Sequence, residues 1–297
     1  MIIKNIIPVR YIFNEIKISL LTVAIIGIVV DTLPYFFADY LPDIPIAIAT
    51  TLGIAISILL SFKVNQSYDR WWEARKIWGA IVNDSRTLVL QLQMYVPEQH
   101  PLITTMAHRQ IAWCYALGQA LRKQEILPSI EHLLSKEELE ELKEHQNIPL
   151  KIISQQVDDV KTLNNTNQLD KFSRLQIEET LTRLTASMGK CERIKNTFFP
   201  SNYRKGLHVA IYLFVIFLSS STPLRLPILL EVLILVLVSM VFFFLEKAAY
   251  RLQDPFENLP TDTPVTSISR TIDINIRQLL GEKEIPKPIT SQDFYVM

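Results

Sequence analysis

The sequence predicts an all-α integral membrane fold, with four transmembrane helices in two hairpins and a helical cytoplasmic domain between them. Three observations carry that prediction. Hydrophobic residues make up 49% of the 297, charged residues 20%, and the mean hydropathy is +0.20. The apolar residues gather in two blocks, 16–62 and 206–246, separated by a polar region of about 140 residues. Basic residues avoid the short gap inside each block, leaving only Arg225 in the second, and collect everywhere else.

The first ten residues are followed by charged Glu15 and Lys17 with no small-residue cleavage site, so no signal peptide is expected. A helix that crosses a hydrocarbon core of about 30 Å needs about 20 apolar residues. Residues 18–37 meet that length, interrupted by Asp31 and Pro34, and residues 44–62 meet it again. The gap at 38–45 holds two aspartates and no Lys or Arg. In the second block, residues 207–221 form a short span and 226–245 a longer one. By the positive-inside rule, both termini and the middle region lie in the cytoplasm of a cell whose inner (plasma) membrane holds the chain. The expected divisions are 1–62 (N-terminal segment and first hairpin), 63–204 (cytoplasmic helices), 205–246 (second hairpin) and 247–297 (cytoplasmic C-terminal segment).

The cytoplasmic region reads as helices. From 63 to 95 there is no proline, and Trp71, Ala74, Trp78, Ile81 and Leu88 recur at helical spacing. Continuous with the second span, such a rod is about 75 Å long. Residues 101–123 open with a proline suited to a first turn. Ser135 and Glu138 form a capping box for a short charged helix through His145. Residues 147–166, with Pro149 and several asparagines, are expected to be flexible; 168–196 is again helical, and Pro200 breaks it.

Several function classes are excluded by what the chain carries. Thirty basic residues balance thirty acidic ones, which is unlike the basic face of a nucleic-acid binder. The seven glycines build no phosphate loop, and no HExxH, GxSxG, Walker or GxGxxG pattern occurs. The five histidines are scattered, the acidic run 137–141 reads as a solvated helix face, and Cys114 and Cys191 read as free thiols. No catalytic residue, metal or cofactor is expected. Asp31 and Glu231 are informative because carboxylates inside a membrane are costly. They are either hydrated near the outer interface or involved in conduction.

Three segments, in order, carry a family resemblance. Residues 53–72 run from an apolar span through Phe62 to Arg70-Trp71-Trp72, followed by Glu73 through Gly79. A second is Gly189-Lys190-Cys191-Glu192-Arg193, and a third is Asp254-Pro255-Phe256 just past the last span. This set resembles the bestrophin family, in its prokaryotic branch, over most of residues 20–280. The resemblance implies a bestrophin-like homopentamer in the lipid bilayer, with the second span lining a central pore. It implies a pore neck at Ile54, Ile58 and Phe62, and a deeper cytoplasmic aperture at Phe172 flanked by Asp170, Lys171 and Arg174. At spacing i, i+4, i+8 the three neck residues share one helix face over about 12 Å. Stacked around an axis, such rings gate by dewetting. The dense acidic run that forms a calcium clasp in animal members is reduced here to scattered carboxylates between 254 and 262, which speaks against calcium control.

Rings of Ile and Phe do not choose the sign of an ion. The resemblance leaves chloride and sodium-like monovalent cations both open. Two other classes stay open as well. One is a membrane-anchored interaction or sensory protein, the other a secondary transporter with its site near Asp31 and Glu231.

Overall fold

The structure is a computed structural model that describes residues 8–37, 44–197, 201–221, 227–291 and 295. The gaps expected at 38–45 and 219–227, including Arg225, and the break at Pro200 fall largely or wholly outside the described residues. So do residues 292–294, 296 and 297 of the C-terminal segment. Among the described residues the ten regular elements are all helices. They are α1 (Val9–Phe37), α2 (Ile46–Tyr95), α3 (Pro101–Leu121), α4 (Leu127–Ile130), α5 (Lys136–Lys143), α6 (Ile148–Asn165), α7 (Lys171–Asn196), α8 (Ser201–Ser221), α9 (Ile228–Gln253) and α10 (Val265–Leu279). The all-α expectation holds. The chain divides into two compact units, one comprising 4–70 and 198–254, the other 1–3, 71–197 and 255–297.

The first unit contains α1, the first half of α2, α8 and α9. Three described helices are long and apolar enough to cross a membrane: the stretch Phe13–Phe37 of α1, α2, and α9. The span expected at 207–221 forms the last fifteen residues of α8. The opening turns of α8 carry Asn202, Arg204, Lys205 and His208, which makes that helix less apolar than its neighbours. The unit's core joins Ile16, Leu20 and Val23 of α1 to Ile56 and Leu60 of α2. Ile211 and Phe214 of α8 and Leu235 and Phe243 of α9 complete it. Gly27 lets α1 lie close to α9, since a Cβ there would sit 2.9 Å from Leu235 Cδ2.

The second unit is built around α3. Every residue from Arg109 to Gly118 is buried, the pattern of a helix enclosed on all sides. Helices α4, α6, α7 and α10 pack on it. Of the five residues expected at helical spacing in α2, Ala74, Trp78, Ile81 and Leu88 are fully buried and Trp71 is part-buried. Ser135 and Glu138 form the capping box at the start of α5.

The expectation of a flexible segment at 147–166 is overturned: α6 is a helix of 18 residues with a buried face at Ile152, Ile153, Val160 and Leu163. Pro149 sits in its first turn, where a missing N–H costs nothing. Asn147 caps it by accepting from the Leu150 amide at 3.0 Å. The acidic run 137–141 also departs from a plain solvated face, because Glu138 accepts from Arg109 Nε at 2.8 Å. Helix α10 lies in the C-terminal segment, where no helix is expected, and buries Val265, Ile268, Ile272 and Ile276.

Candidate functional site

Helix α2 presents two different faces in its first half. Ala49, Ile56, Leu60, Lys63 and Ser67 are buried against the rest of their unit. Ile54, Ile58 and Phe62 face away, at 59%, 53% and 62% exposure. Three large apolar side chains on one exposed helical face need a covering, either lipid or another protein surface. No proline interrupts α2, so the three keep helical register along one straight stretch. The same face continues with Asp69, which lies seven residues beyond Phe62 and within about 20° of it around the axis.

The seat of this stretch is tight. A Cβ at Gly53 would meet Phe214 Cε2 of α8 at 3.0 Å. Lower down, Tyr203 of α8 donates its hydroxyl to the Leu59 carbonyl at 2.9 Å. Just past Phe62, Lys63 is buried with its Nζ 4.0 Å from Glu246 Oε1 of α9. Arg204 Nε lies 3.7 Å from the same oxygen, and His208 Nδ1 lies 4.0 Å from Oε2.

The signature residues at the middle of α2 and just past α9 join segments distant in sequence. Arg70 donates from Nε to the Gln253 carbonyl at 2.9 Å. Asp254, which ends α9, contributes a favourable charge to Arg70. In the other unit, Trp71 Nε1 donates to the Thr261 carbonyl at 2.9 Å, and Trp71 and Trp72 lie stacked with centroids 6.2 Å apart. Pro255 and Phe256 are buried there, and Lys195 Nζ donates to the Phe256 carbonyl at 3.3 Å. Arg70 is thus joined to the last residue of α9, and Trp71 and Lys195 to the segment that follows it.

Phe172 lies in the first turn of α7 and is 79% exposed. Asp170 caps that turn, accepting from the amides of Phe172 at 2.8 Å and Ser173 at 3.1 Å. The Ser173 hydroxyl and these amides hold the Asp170 carboxyl below the usual range, so it stays ionised. Arg174 is engaged with Glu178 at 3.3 Å. The structure therefore puts Phe172 on a rigid, charged helix start.

Asp31 and Glu231, each more than twenty residues from the motif segments, border a common space. They line one cavity of about 150 Å³ together with Ser219 and apolar side chains of α8 and α9. The Ser219 hydroxyl donates to Asp31 at 2.6 Å. The buried Lys63–Glu246 cluster escaped the sequence reading. A signal was present, because a lysine directly after Phe62 and a glutamate directly after Leu245 both abut apolar spans.

A family model described as Bacterial/Fungal Bestrophin protein matches residues 7–278. A protein of Escherichia coli (strain K12), named voltage-dependent anion channel-forming protein YneE, is 31% identical over 82% of this chain and 80% of its own. A Nostoc protein named voltage-dependent anion channel-forming protein alr2987 is 30% identical over 79% and 78%. The crystal structure of a bacterial bestrophin homolog from Klebsiella pneumoniae aligns with a TM-score of 0.85 at 26% identity, over 91% of this chain and 100% of that one. The chain therefore belongs to the bacterial/fungal bestrophin family.

Proposed function

We propose that this chain is a passive ion channel of the bestrophin type. Five copies surround a central pore whose neck is formed by Ile54, Ile58 and Phe62, with Phe172 at a second aperture toward the cytoplasm. The observation that supports this most is the division of α2 into a packed face and an exposed apolar face carrying those three residues. An exposed apolar row that repeats around an axis narrows to a dry constriction, which passes ions only when it wets. The names of the relatives, channel-forming proteins, agree with this reading, and family membership carries the non-enzymatic assignment.

The topology that accompanies this reading has four spans in two hairpins and both termini in the cytoplasm of a plasma-membrane protein. Residues 1–62 and 205–246 lie in or at the bilayer, 63–204 and 247–297 outside it. Partners are further copies of the chain, the lipid bilayer and small monovalent ions. The relatives' names favour an anion. Asp69, on the neck face below Phe62, favours a cation, since a ring of carboxylates attracts positive ions. Reversal potentials under asymmetric salt read the sign directly.

Purified protein in liposomes tests the channel itself. Replacing Ile58 and Phe62 together with Ala removes two of the three rings and is expected to raise ion flux about tenfold or more, as a barrier lowered by about 1.4 kcal/mol would. Assembled protein that passes no ions in either form contradicts the proposal.

One observation favours a different reading. The cavity shared by Asp31 and Glu231 is the kind of intramembrane acidic site that secondary transporters use. On that reading flux saturates with substrate and disappears in Asp31→Asn, while Ile58→Ala changes little.

A further inference from the structure

We propose that Lys63, Glu246 and His208 form a charge latch that seats the neck turn of α2, and that acid releases it. The inference rests on the channel reading of the neck at Phe62. Lys63 follows Phe62 directly, yet its side chain is 1% exposed, and Glu246 opposite is 3% exposed. Neither Lys63 Nζ nor Glu246 Oε1 has a hydrogen-bond partner among the described residues. A buried ammonium is held in place by its counter-charge, so each of this pair depends on the other. The pair ties α2 to α9 at the one turn where the exposed apolar row ends.

The balance of charge around Glu246 is uneven. One carboxylate oxygen, Oε1, faces the ammonium of Lys63 at 4.0 Å and the guanidinium of Arg204 at 3.7 Å. His208 Nδ1 stands 4.0 Å from the other carboxylate oxygen. Glu15, a second carboxylate of the packed helices, is engaged elsewhere. Glu15 of α1 pairs with Lys247 at 3.5 Å and Arg251 at 2.6 Å, both on α9. Arg204 also lies over the Tyr250 ring at 3.8 Å, and Lys63 stands 6.0 Å from the Tyr203 ring. His208 packs edge-on against Tyr212 and Phe243, which fixes it beside the carboxylate. Histidine is the side-chain type in this group that changes charge between about pH 5 and pH 8.

With His208 neutral, Glu246 answers two cations, Lys63 and Arg204. A proton on His208 makes it a third cation facing that carboxylate, beside Oε2. Repulsion on Lys63 rises while its counter-charge is shared further, so the buried seat of Lys63 weakens. The turn carrying Phe62 then loosens from α9, and the neck opens more often. Acidification is therefore expected to increase conduction.

The test uses the full chain in planar bilayers with symmetrical potassium chloride at pH values from 8 to 5.5. Wild-type current is expected to rise about fivefold with acid, the lower end of ordinary coupling between sites. His208→Gln should flatten that curve. Lys63→Met and Glu246→Gln should each carry at pH 8 the current that wild type reaches in acid. The charge swap Lys63→Glu with Glu246→Lys should restore the low current at pH 8. A flat wild-type curve overturns the latch, as does a His208→Gln curve as steep as wild type, or singles that respond like wild type. The channel reading fails separately, when even the Ile58→Ala, Phe62→Ala protein passes no current. In that event the melting-temperature coupling between Lys63→Met and Glu246→Gln still decides whether the pair holds α2 to α9.

Discussion

Arg109 shows how single charges organise the cytoplasmic unit. Its side chain is 6% exposed and lies between Glu138 and Asp159, with a further bond from Nη1 to the Gln155 carbonyl. Burial pushes the Asp159 carboxyl up against the pull of Arg109, while Glu138 also feels burial but is held below the usual range by the Ser135 amide and Arg109. The signs differ. Glu138 contributes stability above its unfolded pKa and loses it as pH falls through the lower folded value. Asp159 costs stability at neutral pH and recovers it as pH falls through its raised folded value. Arg109→Met, which strands two half-buried carboxylates, is expected to cost about 3 kcal/mol in detergent-solubilised unfolding. At pH 7 Asp159→Asn should lower the melting temperature less than Glu138→Gln; the reverse order contradicts this assignment. The thiols give a second residue-scale result, since burial pushes both Cys114 and Cys191 up to about 12. Neither should react with maleimide at neutral pH until the protein is denatured.

At the scale of the element, α2 decides most. Its packed side depends on Gly53, where α8 brings the Phe214 ring against the backbone. Gly53→Ala requires that ring to give by a few tenths of an ångström, and Gly53→Val should separate the helices and lower the melting temperature by several degrees. Equal melting of Gly53→Val and wild type contradicts the close approach. The long apolar and helical periods of α1, α2, α3, α7 and α9 were legible because burial on a helix leaves a 3.6-residue signature. Helix α6 was not, because Pro149 stands in its first turn, where it starts a helix rather than breaks one, and the asparagines gather at its two ends, Asn147 at the N-cap and Asn164 and Asn165 in the last turn. Helix α10 shows the opposite case. Its apolar residues recur at 265, 268, 272 and 276, a pattern present in the sequence but short and enclosed by polar residues. Pairings such as Lys63 with Glu246 join residues 183 positions apart, and no local spacing encodes them.

For the whole molecule, sequence and structure carry different parts of the account. Hydropathy and loop charge suffice for an all-helical membrane protein, and the ordered motifs suffice for the family. The structure adds that the motif residues are splices: Arg70 to the end of α9, Trp71 to the segment beyond it. It also adds that the apolar row of α2 faces outward in a single chain, which is what an assembly through that face requires. The natural cysteines are buried, so cysteines introduced one at a time along α2 report their own surroundings. The most direct measurement of the central claim is the current through Ile54→Cys, Ile58→Cys, Phe62→Cys, Ile56→Cys and Leu60→Cys proteins during exposure to a charged, membrane-impermeant thiol reagent. Modification at 54, 58 and 62 should change the current promptly, while 56 and 60, on the packed face, should remain unaffected. Equal effects on both faces, or no effect at 54, 58 and 62 in conducting protein, would contradict a pore lined by this row.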